Sequence, residues 1–423
     1  MLQIQLFRQD KERILAGLKK KHFKDPQLVD EIIALDELKR NLQQQSETLS
    51  AASNAASKAI GQLMAAGKKD EAEQKKLEVK QGKEQEKALA DQLAEAEQKL
   101  HHLIVSLPNL PHGSVPEGKT PEENIVVREG GAIPNLGDNP LPHWELTEKY
   151  KLIDFELGTR ITGSGFPVYT NKGARLQRGL IQYFLDYNTA AGYTEIQPPL
   201  MVNETTAYGT GQLPDKEGQM YHVTEDGFYL IPTAEVPLTN IYADTIIKGS
   251  DLPLKMTGYT PCFRREAGSY GKDVRGLNRL HQFDKVEIVE IAHPDKSYKT
   301  LGQMVLHVEQ LLKNLELPYR ILRLCGGDMS FTAALTYDFE VFSAAQQRWL
   351  EVSSVSNFEA FQTNRMKIRF KGEDGKTQLA HSLNGSSLAL PRIVAALLEN
   401  HQTPKGIKIP AALQKYLPFN IIN

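Results

Sequence analysis

A heptad pattern near the beginning of the chain constrains its fold more than any other feature. Apolar residues recur at steps of three and four in two stretches: Leu28, Ile32, Leu35, Leu38, Leu42, Leu49, Ala52, Ala56, Ala59 and Leu63, then Val79, Leu89, Leu93, Ala96, Leu100 and Leu103. This spacing gives each helix one apolar seam that packs against another helix. Gly67 and its charged neighbours separate two arms of similar length, which favours an antiparallel pair. The pattern predicts a coiled-coil hairpin over residues 28–103, with arms on the order of 50 Å long.

The helical pattern ends in a segment that is rich in proline. Pro108, Pro111, Pro116 and Pro121 interrupt any helix there. We therefore predict a boundary between an N-terminal domain of residues 1–107 and a second domain of residues 108–423. In the second domain, short β-like runs alternate with helix candidates, without the regular crossover helices of a parallel sheet. This order predicts an α+β fold built on an antiparallel-dominated sheet.

The composition limits the compartment and the kinds of site. The 423 residues include 50 Lys and Arg and 52 Asp and Glu, so nucleic-acid binding would need a local basic patch. Cys262 and Cys325 are too few for a disulfide framework or a thiolate zinc site, and we expect no zinc. The N-terminal residues mix acids and bases, and no apolar run approaches about 18 residues. We therefore predict a cytoplasmic protein with no membrane partner.

The run FRREAGSYGKDVRGLNRLHQFDKVE, residues 263–287, carries the strongest chemical signal in the chain. It reads as a strand, a long loop rich in glycine and basic residues, and a returning strand. Arg279, Phe283 and Glu287 lie at even offsets, so an extended strand would point them to one face. A single Arg–Glu pair would be better explained as a solvated surface pair. The long loop instead indicates a segment that closes over phosphates or a nucleic-acid end.

This run resembles the second signature motif of class II aminoacyl-tRNA synthetases, in the form found in seryl-tRNA synthetases. The first motif of that class is recognisable in the helix at residues 174–190 and in the sequence GYTEIQPPLMVN, with Pro199 at the proline that the family uses at its dimer interface. The third is LNGSSLALPRIVAALLEN, which supplies Arg392. GTGQLP at residues 209–214 and TAE at residues 233–235 resemble the serine enzymes in particular. The departures from the family pattern are Tyr270, Lys272, Val274 and Ser387.

The resemblance implies a two-step reaction. Serine and ATP would form seryl-adenylate and pyrophosphate, and the seryl group would then pass to the terminal adenosine of tRNA. The serine carboxylate is already ionised at neutral pH, so the first step needs alignment and charge neutralisation rather than a general base. Arg264 is the implied catalytic residue, because its planar fork can bridge the serine carboxylate and an α-phosphate oxygen. The implied ATP-binding residues are Arg264, Arg265, Glu266, Arg279, Phe283, Glu351, Val352, Ser353, Ser354 and Arg392.

Individual nucleotide contacts follow from the same resemblance. Glu266 would accept a hydrogen bond from the adenine amino group, and Phe283 would stack on the ring. Arg279 and Arg392 would hold the γ-phosphate of a bent triphosphate. Taken alone, Arg392 fits a surface ion pair equally well.

Magnesium would accompany ATP. Glu351 and Ser354 offer oxygen ligands two pleats apart on a β-like run. An alternating run is by itself more typical of a half-exposed strand, so this metal role rests on the resemblance. His281 and His307 fit structural or surface positions better than metal positions.

Recognition of serine requires the reading of one hydroxyl in a small pocket. The resemblance implies that Glu287 and Ser386 bond this hydroxyl, so that alanine would leave both groups unpaired. Thr233, Glu235 and Asn384 would bind the α-amino group and line the floor. Without the flanking motif, Thr233 and Asn384 would be read as turn or cap residues. The implied serine-binding set is Thr233, Ala234, Glu235, Arg264, Glu287, Asn384 and Ser386.

The hairpin carries basic side chains interleaved with acids: Lys39, Arg40, Lys58, Lys68, Lys69, Lys75, Lys76, Lys80, Lys83 and Lys87. Charges on a coiled coil are most often a solvated face. The resemblance implies instead that this arm grips the long variable arm of tRNA(Ser), across the two subunits of a homodimer, and that the anticodon is not read. Phosphate and shape contacts are then the expected mode of binding. The family also implies that tRNA(Sec) is charged.

Two other functions fit parts of the sequence. A catalytically silent RNA-binding or coiled-coil protein on a synthetase scaffold would have lost the key arginines, whereas Arg264, Arg279 and Arg392 are all present. An enzyme that activates an amino acid and transfers it to a carrier protein would lack the long arm. The heptads of residues 28–103 argue against that second alternative.

Overall fold

The computed structural model describes residues 1–215, 217–266 and 275–423. These residues form two compact units, Met1–Pro108 and Asn109–Asn423. Three of the departures from the family pattern, Tyr270, Lys272 and Val274, lie outside the described residues. The fourth departure, Ser387, is buried and donates a hydrogen bond to Asn188 Oδ1 over 2.9 Å.

The first unit is helical. Its helices are α1 (Ile4–Gln9), α2 (Lys11–Lys20), α3 (Leu28–Ala65) and α4 (Lys69–Ser106). Helices α3 and α4 have 38 residues each, which corresponds to about 57 Å at the α-helical rise. Gly67 lies in the turn between them with a φ of 76°, a conformation that glycine adopts without steric cost. The predicted helical hairpin is confirmed.

One seam position of the hairpin differs from the prediction. Asp36, four residues after the buried Ile32, takes the next inward position on α3. Leu38 lies about 200° further around the helix and is 48% exposed. Asp36 tolerates burial because the Arg8 guanidinium on α1 pairs with both carboxylate oxygens, at 2.6 and 2.7 Å, and this pairing lowers the pKa of Asp36. A charged contact therefore docks α1 on the hairpin where the heptads predicted leucine.

The second unit is built on one large sheet, whose strands we number in chain order. Its eight strands among the described residues lie side by side as β1 (Ile125–Gly130), β11 (Tyr319–Arg323), β12 (Leu335–Ser343), β13 (Arg348–Asn357), β16 (His381–Ala389), β10 (Gln282–Ala292), β9 (Leu254–Phe263) and β4 (Thr194–Glu195). All neighbours are antiparallel except β9 and β4. The predicted α+β fold with an antiparallel-dominated sheet is confirmed.

Helices and small sheets surround the large sheet. The helices of this unit are α5 (His143–Lys149), α6 (Phe155–Ile161), α7 (Asn171–Ala190), α8 (Glu204–Thr210), α9 (Glu235–Asn240), α10 (Ser297–Asn314), α11 (Phe361–Met366) and α12 (Leu390–Asn400). The remaining strands are β2 (Ile153–Asp154), β3 (Val168–Tyr169), β5 (Met201–Asn203), β6 (His222–Val223), β7 (Phe228–Leu230), β8 (Ile246–Lys248), β14 (Arg369–Lys371), β15 (Thr377–Leu379), β17 (Gln402–Thr403), β18 (Gly406–Lys408) and β19 (Ile421–Ile422). In the described parts of the chain, no helix combines the length and apolar character that crossing a membrane requires.

Strand β10 separates the core from the site. Val286 and Ile288 point to one face and belong to the main hydrophobic core, together with buried residues of α7, α10 and α12. Phe283, Lys285 and Glu287 alternate with them and line a cavity on the other face. From Phe283 to Ile288, side chains that line the cavity thus alternate with side chains of the main core, while Val289 and Ile291 further along the strand belong to a second buried cluster.

Candidate active site

One cavity of about 700 Å³ is lined by residues of β10, β13 and β16 and by the beginning of α12. Most of the site residues predicted from the sequence contribute to its wall: Thr233, Glu235, Arg264, Glu266, Arg279, Phe283, Glu287, Glu351, Val352, Ser353, Ser354, Asn384, Ser386 and Arg392. These residues come from segments that are up to about 160 positions apart in the chain, and the large sheet brings them together.

Two predicted site residues do not line this cavity. The Ala234 side chain is fully buried in a separate apolar cluster with Leu238 and Met256. The Arg265 side chain is exposed, and its backbone N–H donates to the Gln219 carbonyl at 2.9 Å. In each of these two segments, the side chains of the two flanking residues line the cavity and the middle one does not. The flanking residues are Thr233 and Glu235 in the first segment and Arg264 and Glu266 in the second.

One end of the cavity holds a buried polar group around Glu287. Glu287 and Ser386 are register partners on β10 and β16, and their side chains approach to 3.5 Å. Thr233 Oγ1 lies at the same distance from Glu287 Oε2. Lys285 Nζ is 2.8 Å from Glu287 Oε2 and donates to Thr233 Oγ1 at 2.9 Å. Lys285 was not among the predicted site residues, although its even offset from Phe283 and Glu287 was a signal that could have found it.

Glu235 begins α9 beside this group. Gln362 Nε2 donates to its carboxylate at 2.6 Å, and the Thr233 hydroxyl accepts from its backbone N–H at 3.2 Å. Burial raises the pKa of Glu235 to about 7, because a carboxylate loses water contacts there, and the neighbouring Glu287 raises it further. Gln362 was also missed, since a partner 127 residues away leaves no local pattern in the sequence.

Arg264 lies between the two ends of the cavity. It directly follows β9, and its guanidinium lies 5.3 Å from the centre of the Phe283 ring. Its Nε donates to the Pro232 carbonyl at 3.4 Å, next to Thr233. Its side chain thus contacts Phe283 near the start of β10 on one side and the carbonyl that precedes Thr233 on the other.

The other end of the cavity carries arginines and carboxylates. Arg279 Nη1 lies 3.3 Å from Glu266 Oε2. The guanidinium of Arg392, at the start of α12, donates to the carbonyls of Glu351 at 2.6 Å and Asn278 at 3.2 Å. The prediction that Arg279 shares an extended strand with Phe283 and Glu287 is wrong, because β10 begins only at Gln282. Arg279 reaches the same cavity from the turn that precedes the strand.

Oxygen atoms cluster where β12 and β13 pair. Glu351 and Ser354 lie on β13, opposite Glu340 and Asp338 on β12. Burial and the nearby Glu351 carboxylate raise the pKa of Asp338 well above its usual range, and one buried Asp338 oxygen has no hydrogen-bond partner in the part of the chain that the structure describes. Hard oxygen donors with repelling negative charge suit a magnesium ion that also binds phosphates. Among the described residues, no group of three His, Cys, Asp or Glu side chains forms a metal cage.

The two histidines that the sequence assigned to structural positions contact protein atoms. His281 Nδ1 lies 3.0 Å from the Arg264 carbonyl, and His307 Nε2 lies 2.7 Å from Asn188 Oδ1. Burial lowers the pKa of His307 to about 4, so this imidazole is neutral at physiological pH.

Comparisons with known proteins agree along the whole chain. Residues 1–111 match the model of the seryl-tRNA synthetase N-terminal domain, and residues 221–401 match that of the tRNA synthetase class II core domain (G, H, P, S and T). A serine–tRNA ligase of Salinibacter ruber is 50% identical over 421 residues, which cover 99% of this chain and 98% of that protein. A serine–tRNA ligase of Neisseria meningitidis serogroup B is 48% identical over 426 residues, with coverage of 99% and 98%.

Solved structures show the same similarity. The seryl-tRNA synthetase of Pyrococcus horikoshii complexed with ATP superposes with a TM-score of 0.93 at 34% identity, covering 100% of this chain and 99% of that one. The cytoplasmic serine–tRNA ligase of Naegleria fowleri in complex with AMP gives a TM-score of 0.88 at 27% identity, with the same coverage. The chain therefore belongs to the seryl-tRNA synthetases, the class II ligases that use ATP to attach serine to tRNA.

Proposed function

We propose that the 700 Å³ cavity is the site where this enzyme joins serine to ATP and then transfers the seryl group to tRNA(Ser). The position of Arg264 carries this proposal. Its guanidinium lies between Phe283, at the proposed adenine end, and the Thr233 and Glu287 group at the proposed serine end. A planar cation at this point can hold the serine carboxylate and the α-phosphate together, which is the principal requirement of the first step.

The proposed nucleotide end uses groups of fixed charge. Phe283 stacks on the adenine, and Glu266 accepts from its amino group. Arg279 and Arg392 hold the γ-phosphate. The 3.3 Å contact between Arg279 Nη1 and Glu266 Oε2 fits a bent triphosphate whose γ-phosphate returns toward the base. In this arrangement, binding of ATP replaces the contact between Arg279 and Glu266 by a contact of Arg279 with the γ-phosphate and a contact of Glu266 with the adenine amino group.

The proposed serine end reads a hydroxyl and an ammonium group. Glu287 and Ser386 bond the hydroxyl, while Glu235 faces the α-amino group with Thr233 and Asn384 nearby. Alanine would leave the hydroxyl partners unpaired, at a cost of roughly 1–3 kcal/mol per group. Lys285 supports this reading, because its bonds to Glu287 and Thr233 fix the orientation of both partners.

Magnesium fits the oxygen cluster at the β12–β13 pair. Glu351 and Ser354 would hold the ion, with phosphate oxygens as further ligands, and the bound ion supplies positive charge that neutralises the phosphates. Support comes from Asp338, opposite Ser354, because one buried oxygen of its carboxylate has no hydrogen-bond partner among the described residues. The protein's own part is to hold Glu351 beside Arg392, whose Nη1 lies 3.6 Å from Glu351 Oε2.

The hairpin supplies the proposed RNA contacts. Several of its basic side chains pair with acids on the same unit, such as Lys39 with Glu97 at 2.9 Å. Five other lysines of the hairpin are exposed and form no ion pair within 4.0 Å with any residue that the structure describes. We propose these as the phosphate contacts: Lys58, Lys69, Lys80, Lys83 and Lys87. Recognition by shape and phosphates leaves the anticodon unread, so tRNA(Sec) is a second proposed substrate.

A homodimer is the proposed assembly, with each tRNA bound across the two subunits. Pro199, at the position that the family uses for its interface, is exposed, and so are its neighbours Leu200 (37%) and Met201 (51%). Neighbouring exposed apolar residues favour a protein contact at this surface.

Exchange of labelled pyrophosphate into ATP tests the proposed function directly. The unmodified enzyme is assayed with each of the standard amino acids in turn. We expect exchange with serine and little with alanine, glycine or threonine. Exchange with another amino acid and none with serine would refute the assignment.

A further inference from the structure

A fully buried histidine and glutamate lie behind the active site, outside every residue set considered above. His143 is the first residue of α5, and Glu399 is near the end of α12. Both side chains have no exposed surface, and His143 Nδ1 lies 2.7 Å from Glu399 Oε1. The backbone N–H of His143 donates to the same oxygen at 2.9 Å, and the Ser343 hydroxyl donates to the other. Burial of such a pair is costly unless its hydrogen bonds are satisfied, which they are here.

The other ring nitrogen of His143, Nε2, contacts the segment that leads into β10. The backbone N–H of Leu277 donates to His143 Nε2 at 2.9 Å. Because Nε2 accepts this bond, the ring proton must be on Nδ1, where Glu399 accepts it. The adjacent Gly276 has a φ of 68°, and a Cβ atom there would approach His143 Nε2 to 2.3 Å. The backbone therefore approaches the imidazole more closely than any other residue at position 276 would allow.

Two further contacts hold the same segment. Gln346 Nε2 donates to Glu399 at 2.9 Å, while its Oε1 accepts from the Asn278 side chain at 3.2 Å. The Asn278 carbonyl in turn accepts from Arg392 Nε at 3.2 Å. The neighbour of this residue is Arg279, one of the two proposed γ-phosphate ligands. Hydrogen bonds thus run without interruption from Glu399 to the turn that presents Arg279, and from that turn to Arg392 at the start of α12.

We propose that His143 and Glu399 are positioning residues for the nucleotide end of the active site. They fix the backbone of residues 277–279, so that Arg279 and Arg392 are already in place when the triphosphate arrives. This inference rests on the proposed function of the cavity. At the serine end, Thr233, Lys285 and Glu287 bond to one another, and among the residues that the structure describes none of these bonds involves His143, Glu399 or Gln346. Loss of the network should therefore weaken ATP use and spare serine binding.

Two substitutions of His143 separate its two hydrogen bonds. His143→Asn places an amide nitrogen near the former Nδ1 and keeps the bond to Glu399, but it has no acceptor within reach of Leu277. His143→Gln extends to the former Nε2 and can still accept from Leu277. His401→Asn is the matched control, because this half-buried histidine follows α12 and its Nε2 bonds to the Leu315 carbonyl, away from the cavity.

Serine-dependent ATP–pyrophosphate exchange by the full-length enzyme, together with thermal unfolding, measures the effects. We expect His143→Asn to raise the KM for ATP about tenfold, with the KM for serine little changed. His143→Gln should recover most of the loss, and His401→Asn should behave like the unmodified enzyme. A merely structural role would instead change the KM values for ATP and serine together and follow the loss in Tm.

Three results would overturn the inference. They are an unchanged ATP dependence in folded His143→Asn enzyme, equal defects in both His143 variants, and a serine KM that rises as much as the ATP KM. If His143→Asn does not fold, Gln346→Met tests the same network at a partly exposed position. We expect this variant to show the same selective increase in the KM for ATP. An unchanged KM for ATP would overturn the inference. Absence of serine-dependent exchange in the unmodified enzyme would refute the proposed function itself.

Discussion

Arg264 is the residue on which the proposed chemistry depends most. Its guanidinium has a planar fork that can bond two anions at once, whereas lysine has a compact charge that cannot bridge them in the same way. We therefore expect Arg264→Lys to lower kcat for serine activation by roughly a hundredfold or more, with Tm little changed. Pyrophosphate exchange and a thermal melt measure the two effects.

A matched control exists on the surface. Arg369→Lys makes the same exchange at a residue that does not line the cavity. Its guanidinium pairs with Asp244 at 3.3 Å. This substitution should leave kcat unchanged. Near-normal turnover in Arg264→Lys would show that the bridging contact is dispensable.

Glu235 gives the site a pH dependence. Its pKa of about 7 is raised by burial, so the carboxyl group is protonated below that pH and ionised above it. The serine ammonium group requires the ionised form. The KM for serine should therefore rise as the pH falls below about 7, approaching tenfold per pH unit, while the KM for ATP changes little.

Measurement of both KM values between about pH 6 and 8 tests this dependence. Glu235→Gln removes the titrating group, and we expect its weaker serine binding to be independent of pH. A flat serine KM in the unmodified enzyme would contradict the assigned role of Glu235.

At the residue scale, most of the site residues predicted from the sequence line the cavity, and there are physical reasons why others were missed. Thr233, Arg264, Phe283 and Glu287 lie in contiguous motifs, so a pattern of neighbours identifies them. Gln362, a hydrogen-bond donor to Glu235, has no such neighbour and is brought close only by the folded chain. Local patterns therefore identify the proposed ligand-binding groups better than the groups that support them.

At the scale of elements, the hairpin α3–α4 is the part most readily removed. Its residues belong to the unit Met1–Pro108, whereas every residue that lines the cavity belongs to Asn109–Asn423. Replacement of residues 28–103 by a short Gly-Ser linker should leave serine-dependent exchange within about twofold of normal. The same variant should lose tRNA charging by roughly a hundredfold or more, because its phosphate contacts are gone.

Charging of a tRNA(Ser) transcript, with exchange measured in parallel, tests this separation. A variant in which Lys58, Lys80 and Lys83 are replaced by Gln is a milder control, which should weaken charging and make it less sensitive to salt. An equal loss of both activities on removal of the arm would contradict a modular role.

The elements themselves were predicted well where a long periodic pattern existed. The two arms follow from the heptad period, and β10 and β13 lie where the sequence predicted the returning strand of residues 263–287 and the β-like run at residues 351–354. Leu38 and Arg279 were misplaced, because the first depends on a salt bridge from another helix and the second on where a turn ends. Both outcomes are decided by contacts that lie outside the periodic segment.

For the whole molecule, the proposed binding of one tRNA across two subunits can be tested by complementation. One chain lacks residues 28–103 and keeps a normal cavity, and the other has an intact arm with Arg264→Lys. Neither homodimer should charge tRNA. Mixed dimers, purified with two different tags, should recover about half of the normal charging rate, since one arm and one cavity then meet across the interface.

The reciprocal arrangement is the control. Both changes are placed in one chain, which is paired with the unmodified chain. Binding across subunits predicts no charging by this mixed dimer, because the intact arm serves the altered cavity. Activity here and none in the first pair would show that each arm serves its own subunit.

Strand β10 also sets the distance between the two ends of the proposed site. Phe283 and Glu287 are four residues apart on one face, which corresponds to about 13 Å. In the proposed site, this distance along the strand fixes the separation between the adenine and the serine side chain before either substrate binds. The matching core-domain model is shared by enzymes for five amino acids. An exchange of the residue at the Glu287 end would change which amino acid is read, while the nucleotide end at Phe283 stays as it is.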